Sequence, residues 1–263
     1  MSSERLVMDN LLVLGNAVPD IISDNRITVC TAGFSKPHGL VRIYPVPPVS
    51  DMKRWNIISV PLERNPQDSR PESWKIQGSK GEWDKLSQKI ELRGEVASRD
   101  EKFGILSGLQ ERFGVGCVED LNDDRASLGI VKPVAFECSF EKRSDHEPEA
   151  QSTLDGAKPF LTIKNYPLRP VMTYRCPACR TKAPHRQQIM EWGVFEWMRK
   201  HPDEPEKVFE NLHIGEEGYD TSLLVGNMAL HRNSFMVISI FRMKLPGSNR
   251  TLKEFGTLND VAN

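Results

Sequence analysis

The first third of the chain alternates short apolar runs with turn residues, a pattern typical of β-strands. Four strands are predicted, at residues 11–14, 27–31, 40–46 and 57–62. In the third of them, Val41 and Ile43 should share one face of the strand. Arg42 and Tyr44 should share the opposite face. Residues 34–39 have turn chemistry, which predicts a hairpin between the second and third strands.

The middle of the chain changes to helical spacing from about residue 80. Short helices are predicted at residues 84–92 and 102–113, and strands at 127–131 and 134–140. Residues 141–156 carry many charges and almost no apolar side chain. Such a segment cannot bury enough apolar surface to order itself, so we expect a mobile loop or linker there.

The C-terminal part is predicted to combine one helix with a β-hairpin. Apolar side chains recur at helical spacing in residues 184–201, where Pro184 suits the first helical position and Pro202 ends the pattern. Strands are predicted at residues 160–163, 223–226 and 234–242. The last strand is apolar on both faces, which predicts that it is central and buried.

Composition places the chain among ordinary globular proteins, with 38% hydrophobic and 27% charged residues. Lys and Arg number 35 against 36 Asp and Glu, so nucleic acid would have to be bound by a local basic patch. No apolar run reaches the roughly 18–20 residues that span a bilayer, and the N-terminus lacks a secretory signal pattern. The five cysteines are mostly dispersed, which suits a reducing compartment. A cytoplasmic protein without membrane contact is therefore expected.

The most specific chemistry lies in residues 175–185, where Cys176 and Cys179 form a Cys-x-x-Cys turn and His185 follows. This turn lets two thiolates converge on one tetrahedral ion, and zinc is the metal that such ligands bind in structural sites. His185 is expected in the first turn of the predicted helix, with its side chain leaning back toward the cysteines. We therefore predict a structural Zn²⁺ bound by these three residues.

A tetrahedral site needs one more ligand, and the sequence leaves its identity open. The candidates are water, His201, His213, His231, Cys117 and Cys138. A redox pair is the alternative chemistry for Cys-Pro-x-Cys. Redox motifs, however, follow a strand and open a helix inside a βαβ pattern, which this chain does not show. Cysteines without a metal are the remaining interpretation.

We call the segment from Cys176 to His185 the zinc knuckle. Together with it, the predicted helices and strands indicate an α+β fold divided into five regions. The N-terminal region should form a small barrel or curled sheet, the middle should be largely helical, and the last folded region should hold the knuckle, a helix and a hairpin. The predicted regions are a β-rich module at 1–80, a connecting region of helices and strands at 81–140, the mobile loop at 141–156, the zinc-knuckle α+β module at 157–246, and a flexible tail at 247–263.

A second group of polar and aromatic side chains is a candidate ligand-binding surface. Arginine recognises phosphate through its planar fork, and aromatic rings stack on bases. The loop at 68–74 should lie beside the strand at 40–46, and a further strand turn adds an imidazole and a guanidinium. The candidate residues are Arg42, Tyr44, Arg70, Glu72, Trp74, His231 and Arg232. The alternative is that Arg70 and Glu72 form a structural ion pair.

No catalytic residue is assigned from the sequence, because no phosphate-binding loop, nucleophile elbow or metalloprotease motif is found. Cys30 lies in the middle of a predicted strand, and its nearest histidine in sequence is His38. A nucleophilic cysteine needs a neighbouring base and some exposure. We therefore expect Cys30 to be packed in the core.

Several segments together resemble a family of uncharacterised prokaryotic proteins, over most of the chain and in the same order. The segments are Thr28-Val-Cys-Thr-Ala-Gly33, Val41-Arg-Ile-Tyr-Pro-Val-Pro47, Asp68-Ser-Arg-Pro-Glu-Ser-Trp74, the Cys…Cys…His stretch, Glu191-Trp192 and Val225-Gly-Asn227. The resemblance implies no established activity. It also marks a departure, since Gly193 stands where the family pattern has a carboxylate, which argues against a catalytic acidic pair there.

Three classes of function are kept open. The leading hypothesis is a zinc-containing protein that associates with DNA or RNA through its local basic and aromatic patch. The second is a nuclease-like hydrolase, in which Asp68 and Glu72 hold a divalent ion beside Arg70. The third is an adaptor subunit that meets a protein partner through the charged loop at 141–156.

Overall fold

A computed structural model describes residues 4–22, 26–146, 161–214 and 216–245. It has the mixed α+β architecture that the sequence predicts. Among the residues described, none of the helices has both the length and the apolar character needed to cross a bilayer.

The N-terminal half is a barrel-like sheet in which five strands close on themselves. Each barrel strand hydrogen-bonds to the next in the order β1-β3-β4-β6-β5, and β5 pairs back to β1. Only the pairing of β4 with β6 is parallel. The two edge additions are β2 on β3 and β7 on β5. The strands are β1 (Arg5–Asn16), β2 (Asp20–Ile22), β3 (Arg26–Ser35), β4 (Gly39–Val46), β5 (Asn56–Arg64), β6 (Ser73–Ile76) and β7 (Glu91–Glu95). This confirms the predicted barrel.

The apolar run at residues 11–14 is buried on both faces of β1, which explains why it does not alternate with polar residues. Leu11 and Val13 point into the barrel, where they join its interior core. Leu12 and Leu14 point outward and pack in a second core between the barrel and the next sheet. The barrel therefore has one wall that is covered rather than open to solvent.

The C-terminal half adds two sheets and most of the helices. One sheet has the order β10-β11-β12, all antiparallel, and the other has the order β14-β13-β9-β8. Their strands are β8 (Gly114–Val115), β9 (Leu128–Val131), β10 (Ala135–Lys142), β11 (Leu168–Arg175), β12 (His185–Gln188), β13 (Tyr219–Asn227) and β14 (Phe235–Lys244). The helices of the described chain are α1 (Trp83–Leu86), α2 (Arg99–Phe113), α3 (Val118–Asp123), α4 (Trp192–Lys200) and α5 (Lys207–Asn211). The predicted C-terminal hairpin is confirmed as β13 and β14.

The helix predicted at 84–92 is wrong beyond its first turn. Helix α1 ends at Leu86, a 3₁₀ turn follows, and β7 begins at Glu91. Leu86 and Ile90 both join the barrel core. The chain then extends along β5, whose free edge offers backbone hydrogen bonds that a helix would leave unused.

The helix predicted at 184–201 is confirmed only from Trp192 onward. Residues 185–190 are instead extended, because their backbone groups are bonded to strands on both sides. Ile189 N–H donates to the carbonyl oxygen of Pro170 at 2.9 Å, and Met190 N–H to that of Val237 at 2.7 Å. A helix cannot form while neighbouring strands take these groups.

Two further expectations concern the ends of the predicted regions. The strand predicted at 160–163 is wrong for its described part, since Ile163–Asn165 is a 3₁₀ turn capped by Thr162. The charged segment at 141–156 is described only to residue 146, and its first two residues complete β10. Residues 147–156 and the tail at 247–263 lie outside the described residues.

Candidate metal centre

Four side chains meet at one point between α3 and the β11–β12 hairpin. The ligand atoms of Cys117, Cys176, Cys179 and His185 all lie within 4.8 Å of one another. Three of these are the residues predicted from the knuckle, and Cys117 is one of the candidates for the fourth ligand. Cys138, also a candidate, is not in this group. The cluster is compatible with a bound metal ion, because three thiols and an imidazole form a complete tetrahedral donor set.

The knuckle is a loop between two paired strands. Cys176 directly follows β11, and His185 is the first residue of β12, where it pairs with Tyr174. The expectation that His185 opens a helix is therefore wrong. The strand pairing returns the chain to the level of Cys176, so the imidazole still faces the cysteine pair. The loop does not open a helix, which argues against the redox interpretation.

Cys117 enters the site from the start of α3, where it is the N-cap residue. Its backbone N–H donates to Asp120 Oδ2 at 2.8 Å, which fixes this turn. Ala178 N–H donates to the carbonyl oxygen of Gly116 at 2.9 Å. A Cβ atom on Gly116 would lie 3.2 Å from that of Ala178, so the close approach favours glycine. These contacts join the two ligand segments across a long stretch of sequence.

The distances within the cluster fit a single ion. His185 Nε2 lies 3.5 Å from Cys117 Sγ and 3.4 Å from Cys179 Sγ. A tetrahedral zinc ion with sulfur at about 2.3 Å and nitrogen at about 2.05 Å would separate such atoms by about 3.6 Å. Cys117 and Cys176 are 0% and 2% exposed, so the centre is closed on its inner side.

The electrostatics of the cluster also favour a cation. The hydroxyl of Thr181, 3.2 Å from Cys179 Sγ, is the largest of several contacts that lower the pKa of Cys179 to about 6. Burial raises the pKa of Cys176 to about 12, and the neighbouring cysteines add to this effect. Three thiolates cannot ionise side by side in a buried site unless a positive charge compensates them. A divalent ion bound by the thiolates would supply that charge.

Charged side chains fasten the knuckle to α3 from outside. Arg180 pairs with Asp123 at 2.8 Å and with Asp120 at 3.4 Å. Its backbone N–H also points to Cys117 Sγ at 3.5 Å. Because Arg180 follows Cys179 directly, this residue couples the position of the loop to that of the helix.

The seven candidate ligand-binding residues lie elsewhere, and three of them are buried inside the protein. Arg42, Arg70 and Trp74 are 4%, 6% and 2% exposed. The expectation that these three belong to an exposed patch is corrected by this burial. The β9–β13 sheet covers Arg42 on the outer wall of the barrel, and Trp74 lies in the barrel core. Ligand binding by these residues stays a prediction.

Arg70 lies in a buried polar network. Its guanidinium bonds to both carboxylate oxygens of Asp68, with a shortest distance of 2.6 Å, and donates to the carbonyl oxygen of Asn227 at 2.6 Å. Burial opposes ionisation of Asp68, but bonds from Arg70 and Ser73 outweigh it and lower the pKa of Asp68 to about 2. Asp68, not Glu72, is therefore the ion-pair partner of Arg70.

Arg42 and Glu72 both reach Ser127, at the start of β9. Arg42 Nη2 donates to the carbonyl oxygen of Ser127 at 2.9 Å. Glu72 accepts from the backbone N–H and the hydroxyl of Ser127, at 2.9 and 2.8 Å. A Cβ atom on Gly226 would lie 2.8 Å from Arg42 Nη2, so glycine leaves room for the guanidinium. The polar side of β4 therefore faces another sheet instead of solvent.

The other candidates have different surroundings. Trp74 is part of the barrel core, with the Arg64 guanidinium 3.8 Å from the centre of its ring. Tyr44 is half-buried, whereas His231 and Arg232 are exposed on the turn that joins β13 to β14. Arg232 donates to the hydroxyl of Ser69 at 2.6 Å. The predicted residues therefore do not form one surface.

Sequence reasoning missed the role of the motif segments as a group. Four of the segments that carry the family resemblance meet around Arg42 and Arg70, between the barrel and the β13–β14 hairpin. They begin at Thr28, Val41, Asp68 and Val225, so the first and the last are more than 190 residues apart in the sequence. Glu191, from a further segment, accepts from Arg54 Nη1 at 3.0 Å and from Ile240 N–H at 2.6 Å. The only signal in the sequence for this meeting was that otherwise apolar strands contain charged residues and, in the last of them, Gly226 and Asn227.

Comparison with protein-family models agrees with this two-part construction. A model described as domain of unknown function DUF8757 matches residues 118–256, slightly more than half of the chain. The chain belongs to the DUF8757 family. A second model, described as domain of unknown function DUF8758, matches residues 8–103. Searches of curated proteins and of solved structures gave no match.

These matches agree with the resemblance to an uncharacterised family. Three of the four cluster residues, Cys176, Cys179 and His185, lie in the DUF8757 region, and Cys117 directly precedes it. Strands β2 to β7 and most of β1 lie in the DUF8758 region. The cluster is therefore formed by the DUF8757 region and by the residue directly before it.

Proposed function

We propose that this protein binds one Zn²⁺ as a structural ion, held by Cys117, Cys176, Cys179 and His185. The observation that carries the proposal is the convergence of these four ligand atoms within 4.8 Å. Three thiolates and one imidazole are a donor set of structural zinc sites, and harder ions such as Mg²⁺ prefer oxygen ligands. With four protein ligands, no coordination position stays open for a substrate, which supports a structural role.

The ion would add a covalent-strength link between two segments that are far apart in the sequence. Cys117 begins α3, while the other three ligands lie on the β11–β12 hairpin. Both segments contribute to the C-terminal core, in which Cys117 and Cys176 are buried. Zinc therefore would stabilise the C-terminal core by crosslinking its helix to its sheet.

This proposal predicts about one zinc ion per purified chain. Elemental analysis after extensive dialysis measures it directly. Replacement by Co²⁺ should produce the intense visible bands of a tetrahedral thiolate site, whereas an octahedral site lacks them. Metal-free protein with a disulfide between Cys176 and Cys179 would instead support the redox interpretation and contradict the proposal.

We also propose, as a second function, that the protein associates with nucleic acid through the β13–β14 turn. The supporting observation is that this turn presents exposed His231 and Arg232 beside Leu230, which is 91% exposed. Arg42 and Arg70 are not available for this role while their donors are used internally. Asp68 and Glu72 likewise accept bonds from protein groups, so no observation favours the nuclease-like alternative.

The second function predicts that the wild-type protein binds labelled single-stranded DNA or RNA at low salt. Arg232→Ala should weaken binding and reduce its salt dependence by about one released counterion. Lys207→Ala is a matched control, because Lys207 is a cation on α5 that pairs with Glu204. Fluorescence anisotropy across a salt series measures both effects. No binding by the wild type, or equal loss in both variants, would contradict this proposal.

The adaptor hypothesis depends on the charged segment at 141–156, most of which lies outside the described residues. It stays a prediction that protein capture through this segment would test.

A further inference from the structure

We propose that Cys30 is a site of oxidation by hydroperoxides, with the Arg42 guanidinium stabilising the negative sulfur. The inference is independent of the zinc centre. It rests on the position of one half-buried thiol beside one buried cation that lacks a carboxylate partner.

Cys30 is not packed in the core as its strand position suggested. Its thiol is half-buried. It lies where the pairing of β3 with β4 is irregular, since Cys30 alone stands between Val29 and Thr31 while two residues of β4 lie opposite. Val29 stays in the barrel core on the inner face. His38, its nearest histidine in sequence, is occupied elsewhere, with its ring 5.8 Å from that of Trp74. The neighbour that matters for its chemistry is therefore not a histidine.

That neighbour is Arg42, whose Nη1 points to Cys30 Sγ at 3.5 Å. Arg42 is 4% exposed, yet none of the described carboxylates forms a salt bridge with its guanidinium. Its Nη2 bonds to a backbone carbonyl, and its Nε is buried without any acceptor. A buried cation without a counter-ion is unfavourable, and a negative sulfur at Cys30 supplies the missing charge.

The surroundings limit which other groups take part. Tyr44 lies close to Cys30. The pKa of Tyr44 is raised above its usual value, mostly by burial and further by the charges of Cys30 and Asp20. Tyr44 therefore stays a neutral phenol that does not compete for the guanidinium. Two acids lie near this corner: Asp20, which acts on Tyr44, and Glu72, which accepts bonds from Ser127. Their negative charges oppose a negative sulfur. Arg42 is in direct contact with the sulfur.

The proposed step is a two-electron oxidation. The Cys30 sulfur, after losing its proton to water, attacks one oxygen of the hydroperoxide. An S–O bond forms, the O–O bond breaks, and the leaving hydroxide takes up, through the solvent, the proton that the thiol released. The sulfur becomes a sulfenic acid, and hydrogen peroxide is reduced to water. The guanidinium can donate hydrogen bonds to the negative oxygen that develops, as charge-assisted donors do elsewhere.

The test uses hydrogen peroxide as the probe and dimedone as the trap for sulfenic acid, with peptide mass spectrometry as the readout. A merely packed thiol reacts more slowly in the folded protein than in the urea-unfolded chain, whereas an activated thiol reacts faster. We expect Cys30 to be labelled about tenfold faster in the folded, zinc-loaded protein than in urea. Cys138 is the internal control, because burial raises its pKa to about 12, and it should be labelled only in urea.

Arg42→Lys should remove most of the rate advantage of Cys30, since an ammonium cannot bond to Ser127 and reach the sulfur together. Circular dichroism checks that this variant folds. If it does not fold, the comparison of folded and unfolded wild type still decides the proposal. Slower labelling of Cys30 in the folded wild type would overturn it, as would an unchanged rate in folded Arg42→Lys.

Discussion

Cys117→Ser should release the zinc ion and destabilise the C-terminal core. Serine is too poor a zinc ligand at neutral pH to replace a thiolate, so the site would lose one of its four donors. Zinc binding in small structural sites contributes about 10–16 kcal/mol of apparent free energy, most of which drives folding. We therefore expect a loss of several kcal/mol of unfolding free energy and sensitivity to chelators at concentrations that leave the wild type loaded.

The matched control is Cys138→Ser, which removes another partly buried thiol from the same half of the protein. Cys138 lies on β10 opposite Met172 and outside the cluster. It should keep the full zinc content and lose far less stability than Cys117→Ser. Elemental analysis and thermal melts, with and without chelator, measure both variants. Equal zinc content in Cys117→Ser and wild type would remove Cys117 from the ligand set and return the fourth position to water.

Arg70→Met should cost about 3–5 kcal/mol of unfolding free energy, because it leaves a buried carboxylate without its cation. Asp68 has a side chain that is 7% exposed, and Ser73 would be its remaining side-chain donor. The variant also loses the bond to the carbonyl oxygen of Asn227, which connects the barrel to β13. Arg232→Met is the control, since it removes an exposed guanidinium nearby and should change stability by about 0.5 kcal/mol or less.

The pH dependence of this effect provides an independent check. The pKa of Asp68 is about 2 in the folded protein, below the value of about 3.9 expected in the unfolded chain. The ionised Asp68 carboxylate therefore stabilises the folded protein fully above about pH 4, and this stabilisation is lost as the pH falls toward 2. The stability difference between wild type and Arg70→Met should shrink over that interval in urea titrations.

A double variant separates the ion pair from general damage. Asp68→Asn combined with Arg70→Met removes both charges, so it should be more stable than the sum of the two single variants predicts. Strictly additive losses, or a difference from wild type that does not change between pH 4 and 2, would show that this pair does not stabilise the fold.

The sequence predicted those features that depend on neighbouring residues. The alternation in 40–46 identified β4 and the face of Val41 and Ile43, because a strand places every second side chain on one side. The Cys-x-x-Cys turn identified two residues of the cluster, because both cysteines belong to one short loop. The predicted helix at 102–113 and hairpin at 34–39 are confirmed for the same reason.

Tertiary structure decided what depends on distant strands. Cys117 lies 59 residues before Cys176, and no spacing rule relates them; only the packing of α3 against the β11–β12 hairpin brings them together. His185 became a strand residue because β11 offered backbone partners that a helix could not use. Arg42 looked like a surface residue because alternation reports two faces of a strand without saying what covers each. The β9–β13 sheet covers the outer face of β4, so a side chain expected to bind a ligand forms part of a buried polar network, and Cys30 acquires a cationic neighbour.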